Sequence, residues 1–416
     1  MQEVYSTFLE WLCSREAFVH PSLHLESHTL LGSGFYTNDH LHANTEILRI
    51  PRSLIIHPRT CFENLGSLGN NEFCYEDLTP RQWVLLYLLI HRFSLEFCRA
   101  AELFQNVTQH EPYVRLFPSQ ILTSLSFSGS ELGLLEGTSL HRATLQRLEL
   151  LHDSAKSVQQ WLLREAKKHM NAALETLSNF SNSDNWIRLW IWADTAYSSR
   201  SFPPLLGGWP AEDDPVLIPG FDILNHRRGE PVTWSFDSPD KAVFTIRQDY
   251  GPNEQIFNNY GAKSNEELLM TYGFVEPGGP DDVLVLALRS DPEKPQSIHY
   301  WRRSDPEPPA SLLEQCRGVI TLKSDDPIGV LLAEVHAIEA IEQFLRQKWK
   351  IFKRTQIDVD DAIPFEDTQD YIRMEALNMI HNYREGQALL IRRGLTWCQD
   401  RLDNILDHLE QLGWTP

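Results

Sequence analysis

Along the chain the spacing of apolar residues changes character four times. Residues Thr7 to Phe18 carry apolar side chains at helical steps. The next segment, LLGSGFYTNDHLHANTEILRIP, has two short apolar runs, Gly34–Thr37 and Ile47–Ile50, flanking a polar connection, which predicts a strand pair ended by Pro51 and Pro58. From Leu78 to Phe202 the pattern is mostly helical. Its clearest stretch is Leu145 to Leu177, where Leu148, Leu151, Val158, Leu162, Ala166, Ala173 and Leu177 recur at three- and four-residue steps. A further helix, NWIRLWIWADTAYSSRSF, is bulky on most sides and is expected to be buried; PPLLGGWPAEDDP ends it.

Short strand-like runs then return as VLIP, VTWSF and AVFTI, with DDVLVLAL after Gly279. The remainder is helical again, over Ile328 to Ile351 and Leu389 to Leu412. The order is β, long α insert, β, then an all-α tail: an α+β protein whose split β-region must pair across the insert. The expected boundaries are 1–77 for the first β part, 78–215 for the insert, 216–280 for the second β part and 281–416 for a mainly helical C-terminal domain.

Composition narrows the function classes. The 416 residues exceed what one core usually holds, and 42% apolar content supports ample burial. A net charge of −20 disfavours nucleic-acid binding, because phosphate contacts need a basic face. The start, MQEVYSTFLEWLCSREAF, has Glu3 and Glu10 in its apolar segment and no basic leader, so a signal peptide is not expected. WVLLYLLI is too short to span a bilayer. Cys13, Cys61, Cys74, Cys98, Cys316 and Cys398 are scattered without a CxxC pair, as in a reduced intracellular protein.

Phosphate-loop and dinucleotide fingerprints are absent. His20, His24 and His28 would align on a helix, but Pro21 interrupts one, and no metal site is expected. Taken singly, Asn225-His226 and Tyr260-Gly261 read as ordinary turn and core residues. Their order carries more: Gly32-x-Gly34, Ser199-Arg200-Ser201-Phe202, Asp222-Ile-Leu-Asn225-His226, Gln255-Ile-Phe-x-x-Tyr260-Gly261 and Glu267-Leu-Leu-x-x-Tyr272-Gly273-Phe274.

This series resembles the SET-domain methyltransferases, in the class with a helical insert that includes the Rubisco large-subunit and fungal ribosomal lysine methyltransferases. The resemblance implies a SET-domain β-fold split by the insert and followed by a helical substrate-binding domain. It implies transfer of a methyl group from S-adenosylmethionine to lysine of a non-histone protein substrate, by an intracellular monomer with no nucleic-acid or membrane partner. Gly32 and Gly34 would cradle the cofactor, Arg200 would bind its carboxylate, Asn225 and His226 its amino group and adenine, and Phe274 would lie on the adenine ring. Tyr260 would be the catalytic residue, while Asp222 and Tyr272 would line the acceptor channel. Arg227-Arg228 follow His226 where relatives usually carry smaller or polar residues, which keeps a non-methylating SET-fold binding protein open. A small-molecule or histidine acceptor also stays open.

Overall fold

The computed structural model describes residues 2–28, 32–97, 102–237, 240–288, 296–318, 327–360, 362–366 and 370–414. Cys98, Thr29 and the first two residues of the LLGSG segment, Leu30 and Leu31, lie outside the described residues. Two compact units form: Met1–Ile121 with Arg147–Ala262, and Leu122–Gln146 with Lys263–Pro416.

The first unit holds the sheets that carry the motifs. Its strands are β1 (Phe18–Val19), β2 (Leu23–His28), β3 (Gly32–Thr37), β4 (Glu46–Pro51), β5 (Ser201–Phe202), β6 (Val216–Leu217), β7 (Val232–Asp237) and β8 (Lys241–Ile246). The expected pairing of the 34–37 and 47–50 runs does not occur. β3 pairs antiparallel with β2, whereas β4 enters a separate sheet of order β1-β4-β8-β7. The reason lies in β2, Leu23-His-Leu-Glu-Ser-His, whose Leu23 and Leu25 are buried while His24 and Glu26 face outward and bond at 2.9 Å. That is a half-buried strand's alternation, and it supplies β3 with a nearer partner. It also removes the helix on which three histidines would have aligned. β4 and β8 join the two β parts of the chain across the helical insert.

The first helix runs Gln2–Ser14, stopping short of Phe18, which has become β1. The long periodic stretch divides into Ser139–His169 and Ala172–Phe180. Met170 takes a left-handed φ of 50°, and the Asn171 side chain caps the next helix by accepting from the Ala173 and Leu174 amides. Helix Pro80–Glu96 is buried at every position from Gln82 to His91. Helix Asp184–Arg200 is locked to it through Asp194, which is 1% exposed and accepts from Arg81 Nε (2.8 Å) and Nη2 (2.6 Å) and from Arg147 Nη2 at 2.8 and 2.9 Å. Two guanidinium groups thus balance one buried carboxylate. Among the described residues no helix is long and apolar enough to cross a membrane.

The second unit contains the hairpin β9 (Val283–Leu288) with β10 (Ser297–Arg302) and helices Pro327–Asp360 and Met374–Gln411. Trp301, Ile338, Ile341, Leu345, Leu390 and Ile391 form the centre of its core. Arg384 is fully buried there, donating to the Leu134, Glu136 and Phe352 carbonyls, so its charge meets oxygen acceptors on several sides.

A histidine network in the first unit makes stability depend on pH. The His110 amide donates to His91 Nε2 at 3.3 Å, so His91 donates through Nδ1–H to the Tyr87 carbonyl at 2.8 Å. His110 contacts the Leu54 carbonyl at 3.2 Å through Nε2, so its Nδ1 accepts from the Tyr87 hydroxyl at 2.6 Å. Both rings are neutral with both nitrogens in use. Burial lowers the pKa of His91 to about 4 and, aided by His91, that of His110 to about 3. Their folded values lie below the unfolded ones, so the unfolded chain binds more protons between them and stability is lost as pH falls through that window. The unfolding free energy is expected to drop from pH 6.5 to 5, where most exposed carboxylates stay ionised, and to go on dropping toward 4. One such histidine accounts for on the order of 3 kcal/mol across the full window. Urea unfolding at a series of pH values measures this, and a flat profile between pH 6.5 and 5 would contradict it.

Candidate active site

Two chain segments cross within the first unit, and the crossing assembles most of the motif residues. The Asn258 amide donates to the Asn225 carbonyl at 2.8 Å, and the Arg227 amide donates to the Asn258 carbonyl at 2.9 Å, making a parallel bridge between His226 and Asn258. The Tyr260 amide donates to His226 Nδ1 at 3.0 Å, and the two rings stack at 4.9 Å with planes 22° apart. Nδ1 being the acceptor, the neutral imidazole carries its proton on Nε2. The Tyr260 hydroxyl donates to the Leu224 carbonyl at 3.2 Å.

The glycine segment joins this crossing through side chains. Asn225 Nδ2 donates to the Ser33 carbonyl at 3.2 Å, and the Tyr5 hydroxyl bonds Ser33 Oγ at 2.8 Å. Gly32 has φ of 73°, which favours glycine. Gly34 is favoured for a different reason: a Cβ there would lie 2.3 Å from Gln255 Nε2 and 3.2 Å from Asn225 Nδ2, so these side chains would have to shift. Gln255 is held across β3 by the Ile256 amide, which donates to the Phe35 carbonyl at 2.9 Å.

Arg200 ends helix Asp184–Arg200, immediately before β5. Its Nη1 donates to Asp222 Oδ2 at 2.9 Å, and its guanidinium lies 4.6 Å from the centre of the Phe117 ring. The Asp222 side chain is 1% exposed and that of Arg200 20%. Burial pushes the Asp222 carboxyl above its usual range, while Arg200 draws it back down. Tyr113 sits beside them, its hydroxyl pKa raised by burial and by the Asp222 charge. The residue expected to face the cofactor and the one expected to line the acceptor channel therefore hold each other. Arg200 Nε and Gln255 Nε2 are buried without a hydrogen-bond partner, while the Tyr113 hydroxyl also helps to draw the Asp222 carboxyl down. Such unpaired donors fit a ligand that brings acceptor oxygens, as a carboxylate does.

The remaining expected residues, Tyr272 and Phe274, lie in the second unit. Tyr272 closes a turn of π-helix, Leu268–Tyr272, and its ring centre is 6.3 Å from that of Phe274. Burial raises the Tyr272 hydroxyl pKa. Arg227, one of the two arginines after His226, stacks 3.8 Å above Phe257 and pairs with the buried Glu230 at 3.4 Å. It is thereby a brace for its own loop. Gln255 heads the Tyr260 motif in the sequence but carries no assigned role there, and Ser33, Tyr113 and Phe117 have no role assigned from the sequence either.

No family model matches the chain. A crystal structure of the SET domain of LSMT bound to lysine and AdoHcy superposes with a TM-score of 0.68 at 18% identity, covering 99% of this chain and 96% of that one. The chain has a SET-domain fold. Over 185 residues this chain is 33% identical to the ribosomal lysine N-methyltransferase set10 of Schizosaccharomyces pombe, covering 44% of this chain and 31% of that protein. Over 310 residues it is 23% identical to the protein-lysine N-methyltransferase EFM1 of Saccharomyces cerevisiae, covering 68% of this chain and 51% of that protein. The chain thus spans 31% and 51% of the lengths of these two relatives.

Removing Arg200 leaves the Asp222 carboxylate buried and uncompensated. Arg200→Ala is expected to destabilise the fold by about 3–5 kcal/mol, and the Arg200→Ala/Asp222→Ala double variant by clearly less than the two single losses added together. A double-mutant cycle from urea unfolding measures the coupling; additive losses would mean that the two charges do not depend on each other.

Proposed function

We propose that the protein is an S-adenosylmethionine-dependent protein N-methyltransferase acting on lysine of a non-histone protein. The observation that carries this reading is the crossing of the DILNH and IFNNYG segments in a SET fold, which gathers Gly32, Gly34, Asn225, His226 and Tyr260. S-adenosylmethionine supplies a methyl group on a sulfonium, an electrophile that needs neither metal nor covalent catalysis. Asn225 and the backbone of Gly32–Gly34 and His226 would hold it, with Arg200 offering its remaining donors to a carboxylate.

The chain's own contribution is positioning. A lysine amine must arrive neutral, and a low-dielectric channel lowers its pKa toward that form. The Tyr260 hydroxyl donates to the Leu224 carbonyl, and a hydroxyl oxygen can also accept, which would orient an amine N–H. The stack on His226 and the amide bond to His226 Nδ1 fix the ring against rotation. Alignment of this sort is the main source of rate in a two-reactant displacement. The helices of the second unit would recognise the protein that carries the lysine, and an intracellular location agrees with the free thiols of Cys13, Cys61, Cys74, Cys316 and Cys398.

Tyr260→Phe keeps the ring, the stack and the amide bond while deleting the orienting oxygen. Single-turnover transfer from labelled S-adenosylmethionine to protein in an extract of the source organism should fall by about 10²-fold or more, with cofactor affinity unchanged by calorimetry. Unchanged transfer would refute the role of Tyr260. Cofactor binding with no transfer to any protein by the unaltered chain would favour a binding protein instead.

A further inference from the structure

The loop after β3 presents His40 and His42 on either side of Leu41. Leu41 is buried and exchanges both backbone hydrogen bonds with Tyr250, each 2.9 Å long. Extended alternation at this bridge sends the two imidazoles to the outer face, where their ring centres are 4.6 Å apart. Asp249 adjoins Tyr250 on the opposing segment. Its Oδ1 accepts from the Ala43 amide at 2.6 Å, and its Oδ2 stands 3.9 Å from His42 Nδ1. One donor atom from each of the three residues lies within 4.8 Å of the others.

We propose that His40, His42 and Asp249 form a binding site for a divalent transition metal of the zinc type, which staples the 40–45 loop to the segment before Tyr250. The donor set decides the class of ion. Two imidazoles and one carboxylate suit zinc, whereas magnesium and calcium call for oxygen donors. Closing onto an ion with bonds of about 2.0–2.2 Å needs the donor atoms to move inward by roughly 1 Å, which rotation of three exposed side chains provides. The backbone is already set. Besides the Leu41–Tyr250 bridge, the Asn44 amide donates to the Ile246 carbonyl at 2.8 Å, and Arg247 Nη1 donates to Asn44 Oδ1 at 2.6 Å. The Ala43 amide on Oδ1 orients the carboxylate and leaves Oδ2 for the ion, as an outer-shell bond does in built metal sites. A net charge of −20 raises the local concentration of cations. Three protein donors leave the fourth position to water.

The test is a zinc chloride titration of the full chain, freed of metal by chelator, followed by calorimetry and by thermal unfolding with and without one equivalent of zinc. A Cys13→Ser/Cys74→Ser/Cys98→Ser background removes as competitors the thiols that are exposed among the described residues and the one that lies outside them. The expected result is one saturable equivalent and a higher unfolding temperature with zinc. His40→Ala, His42→Ala and Asp249→Asn should each weaken binding by about tenfold or more and abolish the thermal shift. These residues are exposed, so the metal-free unfolding temperatures of the variants should match that of the unaltered chain. Cobalt bound at the site should show visible absorption that is lost in His42→Ala. Absence of saturable binding overturns the proposal, as does zinc binding that is equally tight in all three variants.

Discussion

The candidate site depends on one short stretch of backbone pairing, the two amide bonds by which Asn258 grips Asn225 and Arg227. A parallel bridge so brief stabilises little by itself, about 1 kcal/mol per bond. Its value is geometric. It fixes Leu224 to His226 against Asn258 to Tyr260, and every further contact builds on that register. The Tyr260 amide reaches His226 Nδ1, the Tyr260 hydroxyl reaches the Leu224 carbonyl, and Asn225 is left free to turn its side chain to Ser33. A slip of one residue would exchange the face on which each side chain stands.

Around this crossing the charges are arranged in pairs that are set by helix packing. Asp194 draws in Arg81 and Arg147, fixing helix Asp184–Arg200 against its neighbours. Arg200 closes that same helix, so the position of its guanidinium is inherited from a core contact almost two turns earlier. Asp222 then takes one arm of Arg200, and Phe117 covers the guanidinium face. Asp222 is therefore the counter-charge of a partly buried arginine. Without it a guanidinium flanked by Phe117 and Tyr113 would bear the desolvation cost alone.

The broad order of elements was legible in the sequence because long periodic helices and β-branched runs announce themselves, and the motif order pointed to the SET fold. What was lost depended on polar strands and on tertiary choice. β2 hid its alternation behind two histidines and a glutamate, and β10, Ser-Ile-His-Tyr-Trp-Arg, behind a similar mixture. Missing β2 led to the wrong partner for β3. The break at Met170 and Asn171 was invisible to periodicity, since apolar spacing resumes in phase beyond it. The motifs identified Arg200 and Asp222 separately, yet no local signal says that residues on a helix end and a distant turn will bind each other. Gln255 was overlooked because its meaning appears only when Gly34 is placed beneath it.

Two tyrosines on one segment show how surroundings divide labour. Tyr250 precedes the motif and Tyr260 lies within it, and each donates its hydroxyl proton to an oxygen. Tyr250 donates to the buried carboxylate of Glu230, and burial together with this bond raises its pKa well beyond the ordinary phenol value. Its oxygen also accepts from the Phe257 amide at 3.4 Å, so the group is engaged as donor and acceptor alike and serves as an internal strut. Tyr260 donates instead to a neutral carbonyl, at 3.2 Å. A carbonyl polarises the phenol less than a carboxylate does, and the bond is correspondingly weaker. The same residue type, ten positions apart, thus becomes a strut where it meets a charge and, in the proposed reaction, would be a positioning group where it meets a carbonyl.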